Sequence, residues 1–350
     1  MVVEKKEFSS GTSAKNNFDF LRLLFAFSVF IHHFGFLTNT PLCFYWPISS
    51  QMGVAGFFII SGFLITKSFY RSHSLKDYFV KRIKRIVPAY LFIVFACAFG
   101  LVIISKLSAA DYFISNDFLK YLSANIFFLN FIQPTLPGVF TENAYPFVNG
   151  ALWTIKVEIA LYLSVPICAF LIRKIDAKWI FIILYLLSFG FIKWMSWLYD
   201  ESGKEIYAIF SRQFFGQIVF FISGLFILFK FDLVQKRIKL LLPIAFGIVV
   251  IHHLQYTTIT HLLYPISFAI SIIGFAYHFK PLNNVAKYGD ISYGMYLFHY
   301  PIIQFIVSTG MHKNHPIGTF ILCLLLVALA SFISWHLLEK KFLTQRSFIK

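Results

Sequence analysis

Apolar stretches of about twenty residues recur along this chain, separated alternately by strongly basic and nearly uncharged connections. A hydrocarbon core of about 30 Å takes roughly 20 helical residues per crossing. Backbone groups inside that core must be satisfied within the segment, which a helix does. The chain is therefore read as all-α, a polytopic transmembrane helical bundle. About ten spans are expected, near residues 18–36, 52–70, 86–105, 149–172, 179–198, 210–230, 240–258, 261–279, 289–310 and 316–337. A hydrophobic fraction of 58%, a mean hydropathy of +0.73 and only 13% charged residues exclude an ordinary soluble domain.

The basic residues give the orientation. Lys67, Arg71, Lys76, Lys81, Arg82, Lys84 and Arg85 sit between the second and third apolar stretches. With both termini cytoplasmic, 23 Lys and Arg residues fall on the inner side and only Lys106, Lys120, Lys204 and Lys313 on the outer side. Cytoplasmic connections of membrane proteins carry this excess. The formal charge of +16 is thus a topological signal and a contact with anionic lipid, so membrane lipids and no nucleic acid are the expected partners. Cys43, Cys97, Cys168 and Cys323 are far apart in sequence and suggest neither a disulfide framework nor a metal site. The first span follows a polar tail, residues 1–17, without a small-residue cleavage site, so it is expected to be retained. A single membrane domain over residues 1–350 is expected, with a long extracytoplasmic loop at 106–148 and no appended soluble domain. Tyr121 to Ile132 inside that loop is semi-apolar but too short to span, and reads as a re-entrant or interfacial element.

Ionisable side chains at bilayer depth are costly and face a protein interior or a water-filled cavity. Arg22 and His33 are eleven residues apart in the first span. That is about 20° from three full turns, with a rise of about 16 Å, so they share a face while His32 points about 100° away. Thr154, Glu158 and Tyr162 line one face of the fourth span at i, i+4 and i+8. Ser292, Tyr296 and His299 do the same in the ninth. Each has a plainer reading. His33 is then a hydrogen bond between helices, Glu158 an ion pair with an intramembrane cation, and His299 a partner for backbone groups freed by Pro301. In the second span Gly53, Gly56 and Ser61-Gly62 permit close helix approach, or leave room for a substrate chain. Arg82 and Arg85 share a helical face; topology explains their charge, and a fork of two guanidiniums also suits phosphate groups.

These segments together resemble the acyltransferase-3 family of integral membrane acyltransferases. The resemblance rests on Arg22 and His33 with ten residues between them, on Gly53-Val-Ala-Gly-Phe-Phe-Ile-Ile-Ser-Gly-Phe-Leu64, and on Arg82-Ile-Lys-Arg85-Ile-Val-Pro88. It rests further on Trp153-Thr-Ile-Lys-Val-Glu158, where Thr154 replaces the family's usual serine, and on Ser292-Tyr-Gly-Met-Tyr-Leu-Phe-His299-Tyr-Pro301. Glu339 is placed like the family's terminal acidic residue. The resemblance implies transfer of an acyl group, commonly acetyl from cytoplasmic acetyl-CoA, to a hydroxyl of a cell-envelope glycan or lipid-linked saccharide in a bacterial inner membrane.

A saccharide hydroxyl is a weak nucleophile at neutral pH, and a base within hydrogen-bond reach can take its proton as attack begins. His33 is the candidate base, with Glu158 orienting or charge-compensating it and Arg22 stabilising negative charge or holding the donor. A covalent acyl-histidine relay is the variant route. Arg82 and Arg85 are assigned to the donor phosphates, Ser61 and Gly62 to the donor channel, and Trp153, Ser292, Tyr296 and His299 to the acceptor. No metal is expected. The rival class is a transporter or flippase for a glycan or lipid, but no internal repeat of the transporter kind is visible.

Overall fold

The computed structural model describes residues 8, 10–13, 15–41, 45–282 and 285–344. Cys43, Lys5, Lys6, Arg346 and Lys350 lie outside the described residues. Every regular element in the chain order is helical. The α-helices are α1 (Phe18–Thr38), α2 (Ser50–Tyr70), α3 (Leu75–Gly100), α4 (Ala109–Ile114), α5 (Asn116–Ile126), α6 (Trp153–Ile172), α7 (Ala177–Ser202) and α8 (Glu205–Ser211). They continue with α9 (Phe214–Phe229), α10 (Phe231–Lys236), α11 (Ile238–Leu254), α12 (Thr258–His278), α13 (Ser292–Ser308), α14 (Met311–Asn314), α15 (Pro316–Ser334) and α16 (Lys340–Thr344).

Among the described residues eight helical segments are long and apolar enough to cross a membrane. They are Phe18–Thr38, Ser50–Tyr70, Leu75–Ile104, Gly150–Ile172, Ala177–Ser202, Glu205–Phe229, Thr258–His278 and Pro316–Leu343. Each coincides with an expected span. The other two expected spans are α11 and α13, helices of 17 residues each, or about 26 Å at the helical rise. The basic connection also differs from its sequence reading. Ser74 caps α3 by accepting from the Asp77 amide while the Asp77 carboxylate accepts from the His73 amide. The helix therefore starts at Leu75, and Lys76, Lys81, Arg82, Lys84 and Arg85 ride on its first turns.

The chain divides into two compact units. The first comprises Met1–Arg22, Val54–Phe79 and Val157–Val285. In it α2 and α9 come into close backbone contact. A Cβ built on Gly62 would lie 1.9 Å from the Phe221 carbonyl oxygen, and one on Gly224 would lie 2.1 Å from that of Ile59. Two backbones meet there because neither residue has a side chain. Ser188 of α7 donates to the Phe215 carbonyl of α9, 2.7 Å, and Phe181 stacks on Phe226. The Thr12 carbonyl accepts from buried Lys67, 2.5 Å, and from Tyr277, 2.8 Å, which fastens the segment before α1.

The second unit comprises Leu23–Gly53, Val80–Lys156 and Ala286–Lys350. Gly294 of α13 meets Ser331 of α15, where a Cβ would stand 2.9 Å from the Ser331 Cα. Phe30 and Phe34 of α1 pack on Phe320 of α15. In the long connection α4 and α5 are capped by Ser108 and Ser115. Tyr112 donates to the Ala98 carbonyl, 2.7 Å, and Tyr90 to that of Asn125, 2.8 Å. The semi-apolar stretch Tyr121 to Ile132 does not span: α5 ends at Ile126, and Phe128 turns the chain at φ 62°. Burial pushes the Tyr121 phenol well above its ordinary range.

Candidate active site

Two helices of the second unit bring two of the singled-out histidines into contact. His33 Nδ1 of α1 lies 2.7 Å from His299 Nε2 of α13, and the rings are stacked at 5.0 Å and 10°. His299 is completely buried while His33 is half-buried. His299 Nδ1 is 3.1 Å from the Met295 carbonyl one turn earlier. A carbonyl only accepts, so His299 Nδ1 carries the proton and its Nε2 is a lone pair. His33 Nδ1 must then be the donor, which leaves the base lone pair of neutral His33 at Nε2. The edge of Tyr300 meets the His33 ring at 5.3 Å and 77°, and Tyr296 meets His299 at 5.8 Å.

Pro301 explains how α13 tolerates this arrangement. It has no amide hydrogen, so the Leu297 carbonyl four residues earlier loses its helical partner. Asn149 supplies the replacement, its Nδ2 donating to the Leu297 oxygen at 2.9 Å. The freed carbonyl is thus satisfied from another segment, and His299 is not the group that satisfies it. Asn149 Oδ1 also accepts from the Ala151 amide and starts the turn that leads into α6. Thr154 and Tyr296 share a 2.6 Å hydrogen bond, and each hydroxyl reaches the Ala151 carbonyl at 3.2 Å. Ser and Thr serve equally in such a bond, which accounts for the hydroxyl at position 154. Gly150 is held against the Tyr300 ring, 2.7 Å from where its Cβ would stand. Trp153, half-buried, opens α6.

A strap covers this assembly from the side of the long connection. Buried Gln304 donates to the Tyr145 carbonyl and, at 2.8 Å, to that of Phe147. Asn143 Nδ2 donates to Gln304 Oε1 at 2.9 Å and to its backbone oxygen at 3.0 Å. Tyr145 stacks on Phe36, one turn beyond His33, at 4.3 Å. A buried amide is costly unless its hydrogen bonds are made, and here both ends of the Gln304 side chain are used.

The basic motif of α3 is tied to residues just before α13 and just after α15. Arg85 pairs with Asp290 at 2.7 Å and with Glu339 at 3.6 Å, and lies over the Tyr293 ring. Ser292 donates to Asp290 at 2.5 Å and Ser334 to Glu339 at 3.1 Å. Arg82 is half-buried on the same helix.

The other singled-out residues belong to the first unit. Tyr162 donates to Glu158 within α6, and Tyr78 donates to the Tyr162 carbonyl at 2.9 Å. Arg22 pairs with Asp19 on α1. The space beside Gly62 is filled by the Phe221 backbone, and Ser61 is half-buried next to it. Sequence reasoning overlooked Asp290, Asn149 and Gln304. A signal existed for Asn149, since Pro301 leaves one carbonyl open and a polar side chain is needed to fill it.

Comparison with known proteins gives the family. The Acyl_transf_3 family, described as an acyltransferase domain, matches residues 15–336. An O-acetyl transferase of Shigella phage Sf6 is 27% identical over 361 residues, covering 95% of this chain and 97% of that protein. Nodulation protein 10 of Rhizobium leguminosarum bv. viciae is 27% identical, with 95% and 94% covered. The O-acetyltransferase OatA of Staphylococcus aureus is 28% identical over 84% of this chain, which spans about half, 53%, of that protein. No solved structure matches. The chain belongs to the acyltransferase-3 family and is a multi-pass membrane acyltransferase. The transporter alternative is thereby set aside.

Proposed function

We propose that this protein transfers acetyl from cytoplasmic acetyl-CoA to a hydroxyl of a cell-envelope or lipid-linked saccharide, in a bacterial inner membrane. The O-acetyl transferases among its relatives support the acyl group, and the histidine pair, with its assigned tautomers, carries the reading. His33 Nε2 takes the proton of the acceptor hydroxyl as its oxygen attacks the thioester carbonyl. The C–S bond then breaks, and the leaving thiolate takes the proton back from His33. While His33 is protonated, its Nδ1–H bond to His299 becomes charge-assisted and stronger. In this reading His299, Tyr296, Ser292 and Trp153 border the acceptor, while Glu158 and Arg22 keep the charge roles that the sequence assigns them. The test is mass spectrometry of surface glycans from cells with and without the protein, alongside acetyl-CoA binding by the purified chain. Identical acetylation in both cells would dismiss the saccharide acceptor, and failure to bind acetyl-CoA would dismiss the donor.

Arg82 and Arg85 are assigned to the donor phosphates, with Asp290 and Glu339 holding the Arg85 guanidinium in place. Arg82→Ala and Arg85→Ala should each weaken acetyl-CoA binding, and lysine should restore it only in part because an ammonium lacks the guanidinium fork. Arg85→Ala should in addition lower thermal stability by about 3–5 kcal/mol, since Asp290 and Glu339 each lose an ion pair. Normal binding by both alanine variants would return the cluster to a topological role.

The proposed topology has ten spans in a single membrane domain, with α11 and α13 completing the set and both termini cytoplasmic, on the strength of the basic asymmetry. Cysteines placed at Asn39 and Lys313 should label from outside, and those at Ser74 and Lys236 only after permeabilisation. Labelling of the Ser74 site from outside would overturn the orientation.

A further inference from the structure

A cluster in the first unit, formed by α7, α11 and α12, has no part in the proposed transfer. Lys193 Nζ lies 3.2 Å from the Tyr256 hydroxyl, over the Tyr256 ring at 5.1 Å and near the Phe189 ring at 5.7 Å. The Tyr256 hydroxyl is 2.5 Å from His261 Nδ1. His252 stacks on His261 at 5.7 Å and on Tyr264 at 4.4 Å, and His253 Nδ1 is 2.9 Å from the Val249 carbonyl. Lys193 reaches from α7 to the junction where α11 ends and α12 begins, a helix hairpin tip that in the proposed topology meets the headgroup layer, where Tyr is enriched.

An ammonium has only donors, so Lys193 gives to the Tyr256 oxygen. The phenol keeps one hydrogen of its own, and in the tautomer where it gives to His261 Nδ1 the His261 proton sits at Nε2. In that tautomer the cluster presents two remaining Lys193 N–H groups and the His261 Nε2–H, and they come from different helices. Lys193 takes no part in the ion pairs Arg22–Asp19, Arg85 with Asp290 and Glu339, or Lys106–Glu142. Nor do the three imidazoles belong to a group able to hold a metal ion among the described residues. Donors without an acceptor, around one uncompensated positive charge, suit an anion whose oxygens point in several directions. A tetrahedral phosphate has that form, and at this depth phosphate is carried by lipid.

We propose that Lys193, Tyr256 and His261 form a binding site for a phosphate group carried by a membrane lipid. The site goes beyond acyl transfer and does not depend on it. Snorkelling of Lys193 alone would put an ammonium at this depth but would require neither the Tyr256 relay nor any preference for phosphate.

The test titrates the full-length chain in neutral detergent with dioctanoyl phosphatidic acid and, separately, with inorganic phosphate. Saturable binding of phosphatidic acid is expected, weakened about tenfold or more in Lys193→Gln and His261→Ala, as for loss of a hydrogen bond to a charged group. Lys193→Arg should retain most of the affinity, and Lys178→Gln at the other end of α7 should match the wild type. Tyr256→Phe keeps an exposed ring, 62% accessible, and so leaves folding intact; it should still weaken binding by freeing the His261 tautomer. Binding of inorganic phosphate but not of the lipid would overturn the lipid source. Absence of saturable binding of either probe, or equal binding by wild type, Lys193→Gln and Tyr256→Phe, would overturn the site.

Discussion

His33→Ala is expected to lower acyl transfer by about 10²–10⁴-fold, the usual contribution of a general base. The helix should still insert, because removing an intramembrane polar group does not weaken an apolar span. His32→Ala is the internal control: the neighbouring ring projects about 100° away on α1 and should cost little. His299→Ala should behave differently from both. Besides bordering the acceptor, His299 touches His33, the base itself, and positions it through the 2.7 Å bond. Its loss should reduce kcat while leaving acetyl-CoA binding unchanged. Glu158→Gln adds a further separation, since turnover should fall if the charge of Glu158 matters and persist if Glu158 only accepts from Tyr162. A well-expressed His33→Ala protein with normal acetylation would remove His33 from the mechanism.

The faces of the helices were legible in the sequence, and the neighbours of those faces were not. Spacing at i, i+4 and i+7 puts Ser292, Tyr296 and His299 on one side of α13. It does not say that Tyr296 meets Thr154 and that His299 meets His33, because helical period fixes a direction and carries no information about the partner helix. The same limit hid Asn149, whose bond to Leu297 spans 148 residues of sequence. Local pairs were within reach: Tyr162 bonding Glu158 and Arg22 pairing with Asp19 both follow from turn spacing. One boundary was only partly legible. The sequence places Arg82 and Arg85 on one helical face just before the third span, and the helix that carries them starts as early as Leu75, because a Ser74 cap and an uninterrupted helical pattern begin it before the apolar run. Glu339 matched a family position before it had a physical role; contact with Arg85 supplies one.

Gly62→Ala is expected to destabilise the protein by about 3 kcal/mol or more, toward the upper end for an overpacked core. The added Cβ would stand 1.9 Å from the Phe221 oxygen and 2.8 Å from its carbon, and these are backbone atoms that cannot rotate away. α2 and α9 would have to separate, which also opens the reciprocal contact of Gly224 with Ile59. Gly190→Ala in α7 and Gly247→Ala in α11 form the comparison. A Cβ at either site meets nothing within 4 Å, so alanine should be neutral or stabilise its helix by up to about 1 kcal/mol. Thermal unfolding of the detergent-solubilised variants reads all three. The experiment also separates the two uses the sequence allows for Gly62. If it serves helix contact, Gly62→Ala loses stability, and donor binding falls only with the folded fraction. If it lines a donor channel, the variant stays as stable as wild type and acetyl-CoA binding falls. The Phe221 backbone already fills the space a side chain would take, which favours the first outcome.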